Sequence, residues 1–340
     1  MRRVCHITSV HKRFDPRIYH KECKALSHEY KVYLLVSDGL GDEQSENIEI
    51  IDVGKPKNRL FRLLIQRRKL YKKALEIDAS IYHFHDPELL PYGIKLKKLG
   101  KKVVYDIHED LPRQVLSKSY LNKFVKTSLS YIIEKFENKN VKDLSYLITP
   151  TEHIKNRFLH VNSNTETVKN YPKIEEFEID KKDKKDVDVC YIGSLTKVRG
   201  IIEIIKAANI SNVNLHLAGD FYNKSFENSV RNMSEWKNVI FYGFIERNKA
   251  AELLSRSKIG LVTLYPTINY KDALSVKMFE YMIAGIPVIA SDFPLWESII
   301  KKHYCGICVD PQNPHEISKA IDYILKNPQE ATIMGRNGFQ

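Results

Sequence analysis

The stretch from Lys271 to Ser291 constrains the fold of this chain more than any other part of the sequence. Its apolar residues recur at helical spacing between Val276 and Ile283, and Gly285 followed by Pro287 is a typical helix stop. The apolar run that comes next, 287–290, is of the kind found in buried parallel strands. The stretch therefore predicts a helix that leads directly into a parallel strand, as in an α/β domain.

Charged residues lie just before this predicted helix and within it. Lys277 and Glu280 are three positions apart and share one face near the helix start, while Asp272 lies eight positions before Glu280. The free N–H groups and the dipole of a helix start favour an anion, so a lysine there suits a phosphate. A carboxylate one turn later suits a sugar hydroxyl. The alternative is a solvated surface helix with an ordinary charge pair.

The chain of 340 residues is long enough for about two domains of roughly 150 residues each. A charged segment without apolar periodicity, 173–186, is predicted to link a domain at 1–172 to a domain at 187–340. A short strand and turn at 168–172 are expected to close the first domain. Strands at 4–10 and 31–36 with a helix between them give that domain a βαβ start without the G-x-G-x-x-G fingerprint of dinucleotide-binding proteins.

Two predicted strands of the first domain end in a histidine and an acidic residue. His85 and Asp86 follow one strand, and His108 and Glu109 follow the next. Chemistry in open α/β sheets gathers beyond the carboxyl ends of the strands. The histidines and acids alternate with bulky apolar residues and show no compact ligand spacing, so a histidine within reach of a sugar hydroxyl is preferred to a metal site.

In the second domain, the segment from Gly193 to Gly200 connects a strand at 187–192 to a helix at 201–208. A turn of small residues that carries Lys197 and Arg199 just before a helix start can hold a diphosphate. The alternative is a routine strand-to-helix turn.

The net charge of +12 is concentrated in residues 1–170, which hold 32 Lys and Arg against 21 Asp and Glu. No recognition motif for nucleic acid accompanies this excess, so no nucleic-acid partner is predicted. The helical segment 58–77 mixes basic and apolar residues, which is typical of a helix that lies on anionic lipid or of an ordinary helix with a basic outer face.

No apolar run reaches the roughly 18 residues that a transmembrane helix needs. The five cysteines are an odd number and favour a reducing, cytoplasmic compartment. Cys305 and Cys308 form a lone C-x-x-C, which is predicted to be part of a strand rather than a redox or zinc site.

The pattern D-x7-E-Y-M-x-A-G-x-P-V-I, from Asp272 to Ile289, resembles the E-x7-E signature of glycosyltransferase family 4. The sequence has Asp272 where the family has Glu, and 273–275 where it has a Phe-Gly pair. The turn from Gly193 to Gly200 is similar to the family's G-R-x4-K-G turn, with Ser194 in place of the arginine.

Two segments of the first domain extend the resemblance. The loop with His11, Asp15 and Arg17 resembles the H-x3-D-x-R-I pattern of a polysaccharide-synthesising subgroup. His108-Glu109 is similar to the family's H-D or H-E at the end of a strand, where a histidine contacts the donor sugar or the acceptor.

The resemblance implies an α/β protein with two Rossmann-like domains facing a cleft, the GT-B architecture. It implies a metal-independent, retaining transferase that moves a sugar from a UDP- or GDP-sugar to a hydroxyl, in synthesis of a bacterial capsule, O-antigen or exopolysaccharide. A nucleotide-sugar epimerase of the same fold and a non-catalytic nucleotide-sugar-binding subunit are the alternatives. The family's further C-terminal helices are expected to be shortened or absent.

The resemblance also assigns roles to individual residues. The expected catalytic residues are His108, Asp272, Arg199 and Lys277. The expected donor-binding residues are Gly193, Ser194, Phe244, Ile245, Ser275, Val276 and Glu280. The expected acceptor-side residues are His11, Asp15, Arg17, His85 and Asp86. No metal and no cofactor are expected, and the acceptor is expected to be a sugar on a lipid diphosphate at the anionic inner face of the membrane.

Overall fold

The structure is a computed structural model that describes residues 1–118, 121–177 and 185–340. These residues form two compact units, Met1–Asn170 and Tyr171–Gln340. The first residues of the predicted linker belong to the second unit, where Ile174–Phe177 forms a short 3₁₀ helix that packs on other helices of that unit. Residues 178–184 of the predicted linker lie outside the described part of the chain.

The first unit is built on an eight-stranded sheet in the order β3-β4-β2-β1-β5-β6-β7-β8. Its strands are β1 Arg3–Ile7, β2 Lys31–Val36, β3 Glu43–Ser45, β4 Ile48–Asp52, β5 Ile81–Phe84, β6 Lys102–Asp106, β7 Tyr146–Thr149 and β8 Thr165–Thr167. All neighbouring strands are parallel except β3 and β4.

Helices cover both faces of this sheet, which is why its inner strands are nearly continuous apolar runs. In β2, Leu34 packs in the cluster that contains Ile18, and Leu35 packs in the cluster that contains Leu70. The helical segments are Ile18–Cys23 and Arg62–Gln66 (both of π type), Lys24–Ser27, Arg59–Phe61, Arg67–Ile77, Pro87–Leu89 (3₁₀), Leu90–Lys98, Leu111–Leu116, Lys123–Val141 and Glu152–Leu159.

The second unit contains a six-stranded, fully parallel sheet in the order β11-β10-β9-β12-β13-β14. Its strands are β9 Val187–Ile192, β10 Leu215–Ala218, β11 Val239–Gly243, β12 Ser257–Val262, β13 Val288–Ser291 and β14 Gly306–Val309. Its helical segments after Ile174–Phe177 are Lys197–Arg199 (3₁₀), Ile201–Ile210, Lys224–Arg231, Ser234–Asn238 (3₁₀), Arg247–Arg256, Ile268–Lys271, Val276–Ile283, Pro294–His303, Pro314–Lys326 and Pro328–Phe339. We call Val276–Ile283 the signature helix; it has the predicted bounds.

The strand predicted at 168–172 is wrong. β8 ends at Thr167, and Val168 only donates its N–H to the carbonyl of Thr149 before the chain leaves the sheet. The antiparallel edge strand β3 and the helices Glu152–Leu159, Lys224–Arg231, Pro294–His303 and Pro328–Phe339 were not predicted.

All five cysteines are free, and Cys308 lies in β14, as predicted for the C-x-x-C segment. None of the described helices is both long and apolar enough to cross a membrane.

Candidate functional site

Both sheets have the strand order of a doubly wound fold, in which ligands bind beyond the carboxyl ends of the strands where the order reverses. That point lies between β9 and β12 in the second unit and between β1 and β5 in the first. Gly193 directly follows β9 and His85 directly follows β5, so sequence-predicted residues lie at both points.

In the second unit, the turn after β9 lies against the side chain of Lys277. Gly193 has a φ of 143°, a backbone conformation that residues with a side chain rarely adopt. A Cβ atom at this position would lie 2.2 Å from the Cε atom of Lys277. A glycine is therefore required for Lys277 to lie across the turn.

Lys277 lies close to a second cation, Arg199, which ends the Lys197–Arg199 turn. Burial first and the positive charge of Arg199 second lower the pKa of Lys277 to about 7, while Glu280 acts in the opposite direction. Across residues 1–118, 121–177 and 185–340, no carboxylate forms an ion pair with Arg199 or Lys277. Two half-buried cations without a carboxylate partner form a strong candidate anion site.

The loop before the signature helix is held by a hydrogen bond from a buried tryptophan. The indole Nε1 of the buried Trp296 donates a hydrogen bond of 2.7 Å to the carbonyl of Ala273. Ser275 precedes the first helical residue, and its hydroxyl makes no capping bond. The N–H of Met278 donates to the carbonyl of Ser275, which leaves the N–H groups of Val276 and Lys277 with the capacity to bind an anion.

Glu280 lies on the signature helix with its side chain 11% exposed, and its Oε1 accepts a hydrogen bond of 2.6 Å from Nη1 of Arg247. Arg247 also pairs with Glu176 at 2.7 Å. Sequence reasoning missed Arg247, because it lies 33 residues before Glu280 at the start of a different helix and belongs to no motif.

The other predicted donor-side residues line the surface at the ends of elements. Asp272 is exposed, its backbone N–H donates to the carbonyl of Tyr270, and within the described chain its carboxylate forms no hydrogen bond or ion pair. Phe244 is 71% exposed just beyond β11, and Ile245 after it is half-buried. Val276 is half-buried, and the carbonyl of the exposed Ser194 accepts a hydrogen bond from the Tyr191 hydroxyl at 3.1 Å.

In the first unit, His11 lies between two carboxylates. Its Nδ1 is 3.1 Å from Oδ2 of Asp15 and its Nε2 is 3.6 Å from Oδ1 of Asp86. Although burial acts to lower the pKa of His11, these carboxylates raise it overall. The ring of His11 lies 4.6 Å from that of His108, and both side chains are partly exposed. The fold therefore brings together two residues that are 97 positions apart.

Asp106 at the end of β6 links these histidines to the rest of the unit, and sequence reasoning missed it. Its carboxylate accepts two hydrogen bonds of 2.8 Å from Arg17 and lies 3.3 Å from Nδ1 of His85 and 3.1 Å from Nε2 of His108. Burial acts to raise its pKa, but these partners hold the pKa well below its usual range.

Three predicted acceptor-side residues are buried rather than open to a ligand. Arg17 is 5% exposed and its guanidinium is taken up by Asp106. Asp86 is 3% exposed and accepts hydrogen bonds from the hydroxyl of Thr8 and the N–H of Ser9. His85 is 1% exposed. Because their polar atoms already form hydrogen bonds or ion pairs within the unit, these three residues position the exposed side chains above them rather than bind a ligand.

A second group of histidines lies beneath this surface. His6, Glu22, His83 and His85 each offer a ligand atom within 4.8 Å of the others. The sequence shows no compact ligand spacing here, because His6, Glu22 and His83 lie at least 16 positions apart along the chain. The expectation of no metal stays a prediction for the donor site.

Two family models match adjacent parts of the chain. The model described as "Glycosyltransferase Family 4" matches residues 17–170, and the model described as "Glycosyl transferases group 1" matches residues 172–340. An uncharacterized glycosyltransferase of Methanocaldococcus jannaschii is 24% identical over 288 residues, which cover 79% of this chain and 70% of that protein. The D-rhamnosyltransferase WbpZ of Pseudomonas aeruginosa is 28% identical over 102 residues, 30% of this chain and 26% of WbpZ.

Solved structures share the fold at low sequence identity. Sucrose-phosphate synthase from Thermosynechococcus elongatus matches with a TM-score of 0.75 and 15% identity, over 100% of this chain and 93% of that one. HepE from Anabaena in complex with UDP matches with a TM-score of 0.67 and 14% identity, over 100% and 94%. With two parallel α/β units and family matches over 17–170 and 172–340, the chain belongs to glycosyltransferase family 4 and is a glycosyltransferase of the GT-B fold.

Proposed function

We propose that this enzyme transfers a sugar from a nucleoside-diphosphate sugar to a hydroxyl acceptor and retains the anomeric configuration. The observation that carries this proposal is the pair of Arg199 and Lys277 against the Gly193 turn, two cations with no carboxylate partner in the described chain. HepE from Anabaena has been solved with UDP and with UDP-glucose, which favours a uridine nucleotide, with a guanosine nucleotide as the alternative.

The chemical step explains why two cations are useful. The bond from the anomeric carbon to a diphosphate oxygen breaks and a bond to the acceptor oxygen forms, so negative charge builds up on the departing diphosphate, which can accept the proton that the acceptor hydroxyl loses. Preorganised cations aimed at that charge stabilise the transition state more than the ground state. We assign this role to Arg199, Lys277 and the N–H groups at the start of the signature helix, and we propose that the donor step needs no metal.

The remaining donor contacts are assigned to groups of the second unit that are exposed or have an oxygen not bonded to Arg247. Because Oε1 of Glu280 is bonded to Arg247, we assign Oε2 to the ribose hydroxyls. The exposed Asp272 would bind hydroxyls of the donor sugar and fix its orientation. The segment with Phe244 and Ile245 would contact the nucleobase.

On the acceptor side, we assign the accessible pair His11 and His108 to hydroxyl groups of the acceptor or the transferred sugar. Both imidazoles are held in place by carboxylates, Asp15 and Asp86 for His11 and Asp106 for His108. A glycolipid acceptor on a diphosphate carrier, used in surface polysaccharide synthesis, fits the subgroup pattern and the naming of WbpZ as a D-rhamnosyltransferase.

We further propose that the enzyme works in the cytoplasm and contacts the anionic inner face of the membrane through the helix Arg67–Ile77 and the residues before it. Arg68, Lys69 and Lys72 are exposed there, and Leu60 and Leu64 before them are 64% and 53% exposed. Basic and apolar side chains on one surface are the combination that binds anionic lipid.

A screen of nucleotide sugars by thermal shift, followed by a transfer assay with product analysis, tests the function. A true donor at 100 times its Kd should add about 2.7 kcal/mol of stability. The shift should disappear in Arg199→Ala and persist in Lys206→Ala, a matched variant of an exposed lysine in the same unit. Release of a nucleoside diphosphate with a glycosylated acceptor identifies a transferase, whereas interconverted nucleotide sugars would identify an epimerase.

A further inference from the structure

The histidine group of the first unit lies where β1, β5 and the Ile18–Cys23 helix meet. The parallel register of β1 and β5 places His6 next to His83, with ring centroids 4.6 Å apart. His85 is two positions after His83, so it lies on the same face of the sheet. Glu22 reaches this face from the helix, and the fold thus gathers three imidazoles and one carboxylate.

The distances within this group suit a common ligand. Oε2 of Glu22 lies 3.9 Å from Nδ1 of His6, from Nδ1 of His83 and from Nε2 of His85. Nδ1 of His6 lies 3.0 Å from Nε2 of His85. Ligand atoms around a tetrahedral zinc ion at its usual bond lengths are about 3.3 Å apart, so the four atoms, all within 4.8 Å of one another, would draw together to bind one ion.

Three buried polar atoms of this group have no hydrogen-bond partner within the described chain. Oε2 of Glu22 is buried and has no hydrogen-bond partner in the described chain, and the same is true of Nε2 of His6 and Nε2 of His83. His6 is fully buried and His83 is 6% exposed. A buried polar atom without a partner is destabilising, so a cation bound by the carboxylate oxygen that faces the three imidazoles would be stabilising there.

Neighbouring groups hold the ligands in the orientation that a metal would need. Oε1 of Glu22 pairs with Nε of Arg17 at 3.1 Å, which leaves Oε2 directed to the histidines. Nδ1 of His85 lies 3.3 Å from Asp106, so Nε2 is the nitrogen turned to the group. A carboxylate behind a metal-binding histidine is the usual arrangement in metalloproteins.

We propose that His6, Glu22, His83 and His85 bind one divalent transition-metal ion, with Zn²⁺ as the expected ion. Three imidazoles and one carboxylate suit Zn²⁺ better than Mg²⁺ or Ca²⁺, which prefer oxygen ligands. The ion replaces the proton shared by His6 and His85 and ties the Ile18–Cys23 helix to β1 and β5. This site belongs to the first unit and is independent of the donor cations of the second, so its failure leaves the proposed function untouched.

Elemental analysis of the full-length protein after metal removal and incubation with ZnCl2 tests the proposal. We expect one equivalent of zinc per chain, and a visible absorption spectrum of tetrahedral type when Co²⁺ replaces it. Zinc should raise the melting temperature of the metal-free protein. In Glu22→Gln and in His83→Gln the zinc affinity should fall by at least about tenfold.

The variant His108→Ala is the matched control, because His108 belongs to the neighbouring group His85, Asp106 and His108 but not to the proposed site. It should retain one equivalent of zinc. Loss of zinc in His108→Ala with retention in Glu22→Gln would move the ion to the other group and overturn the assignment. Less than about 0.2 equivalents in folded wild-type protein, with no cobalt spectrum, would overturn the site itself.

Discussion

In the second unit, Arg199 and Lys277 lie close together with no carboxylate partner in the described chain, whereas in the first unit the charges around His85 are paired. There, Arg17 is paired with Asp106 and Glu22, and Asp86 is bonded to Thr8 and Ser9. Removal of one partner of a buried charge pair is strongly destabilising because the other charge stays buried, whereas charges without a partner remain available for a ligand. Substitutions should therefore affect stability in the first unit and ligand binding in the second.

The largest expected effect is on stability, in Asp106→Ala. Removal of this fully buried carboxylate leaves Arg17 with Glu22 as its remaining ion-pair partner and takes away the carboxylate that faces His85 and His108. This should lower the free energy of unfolding of the first unit by about 3–5 kcal/mol. Urea unfolding followed by circular dichroism should show this loss. Fluorescence should not, because both tryptophans, Trp236 and Trp296, lie in the second unit. Asp143→Ala, which removes an exposed carboxylate of the same unit at a residue without a positive φ, is the control and should change little.

A loss of less than about 1 kcal/mol in Asp106→Ala would mean that the pairing with Arg17 does not hold the unit together. In that case the contrast between the two units would disappear.

The next effect is on catalysis, in Arg199→Ala and Lys277→Ala. Each variant should lose at least about 2 kcal/mol of transition-state stabilisation, roughly thirtyfold in kcat/KM with the true donor. The protein should remain folded, because neither cation has an ion-pair partner to leave behind within the described residues. Normal turnover by both variants would show that the diphosphate does not bind there.

A smaller effect is the pH dependence of stability caused by Lys277. Its pKa is about 7 in the folded protein against 10.5 as the ordinary value, so between these values the unfolded chain binds more protons and stability rises with pH. Lys277→Met should therefore be more stable than the wild type at pH 6.5, by at least about 1 kcal/mol, and this advantage should shrink towards pH 10. Tryptophan fluorescence reports the unit concerned. An advantage that does not change with pH would contradict the lowered pKa.

The smallest effect concerns the membrane. Not every basic residue of the segment 58–77 is free to contact lipid, because Arg67 donates hydrogen bonds to the carbonyls of Leu63 and Glu88. The exposed set Arg68, Lys69 and Lys72 is the better choice, and each charge should contribute about 1 kcal/mol to binding of anionic vesicles at low salt. Flotation of the triple Gln variant measures this. Binding that is equal to that of the wild type would reject the helix as the contact.

The two units also differ in how much of their site the sequence could predict. The donor-side features Gly193, Arg199 and Lys277 lie in short segments next to strands and helices with clear periodicity, so local pattern located them. The first-unit network depends on register between β1, β5 and β6 and on a π-type helix, which local periodicity does not determine. Arg17 shows the consequence: its motif was found, but its burial against Asp106, 89 residues away, was not.

Isolated residues without periodic or motif context were missed for the same reason. Asp106 and Arg247 belong to no motif, and the partners that reveal their roles, Arg17 and Glu280, are distant in sequence. The helix Glu152–Leu159 was missed because only three of its eight residues are apolar, too few to establish a period, whereas the signature helix of the same length is mostly apolar.

The most direct test of the donor site is the affinity for UDP and GDP, measured by calorimetry between pH 7 and pH 9 in buffers of different ionisation enthalpy. If the diphosphate binds at Lys277, binding restores the proton that the free lysine loses above about pH 7, so up to one proton is taken up. The affinity should then fall by as much as tenfold per pH unit in the wild type and stay level, at a lower value, in Lys277→Met. Binding with no proton uptake and equal affinity in both proteins would contradict the assignment of Lys277 to the donor diphosphate.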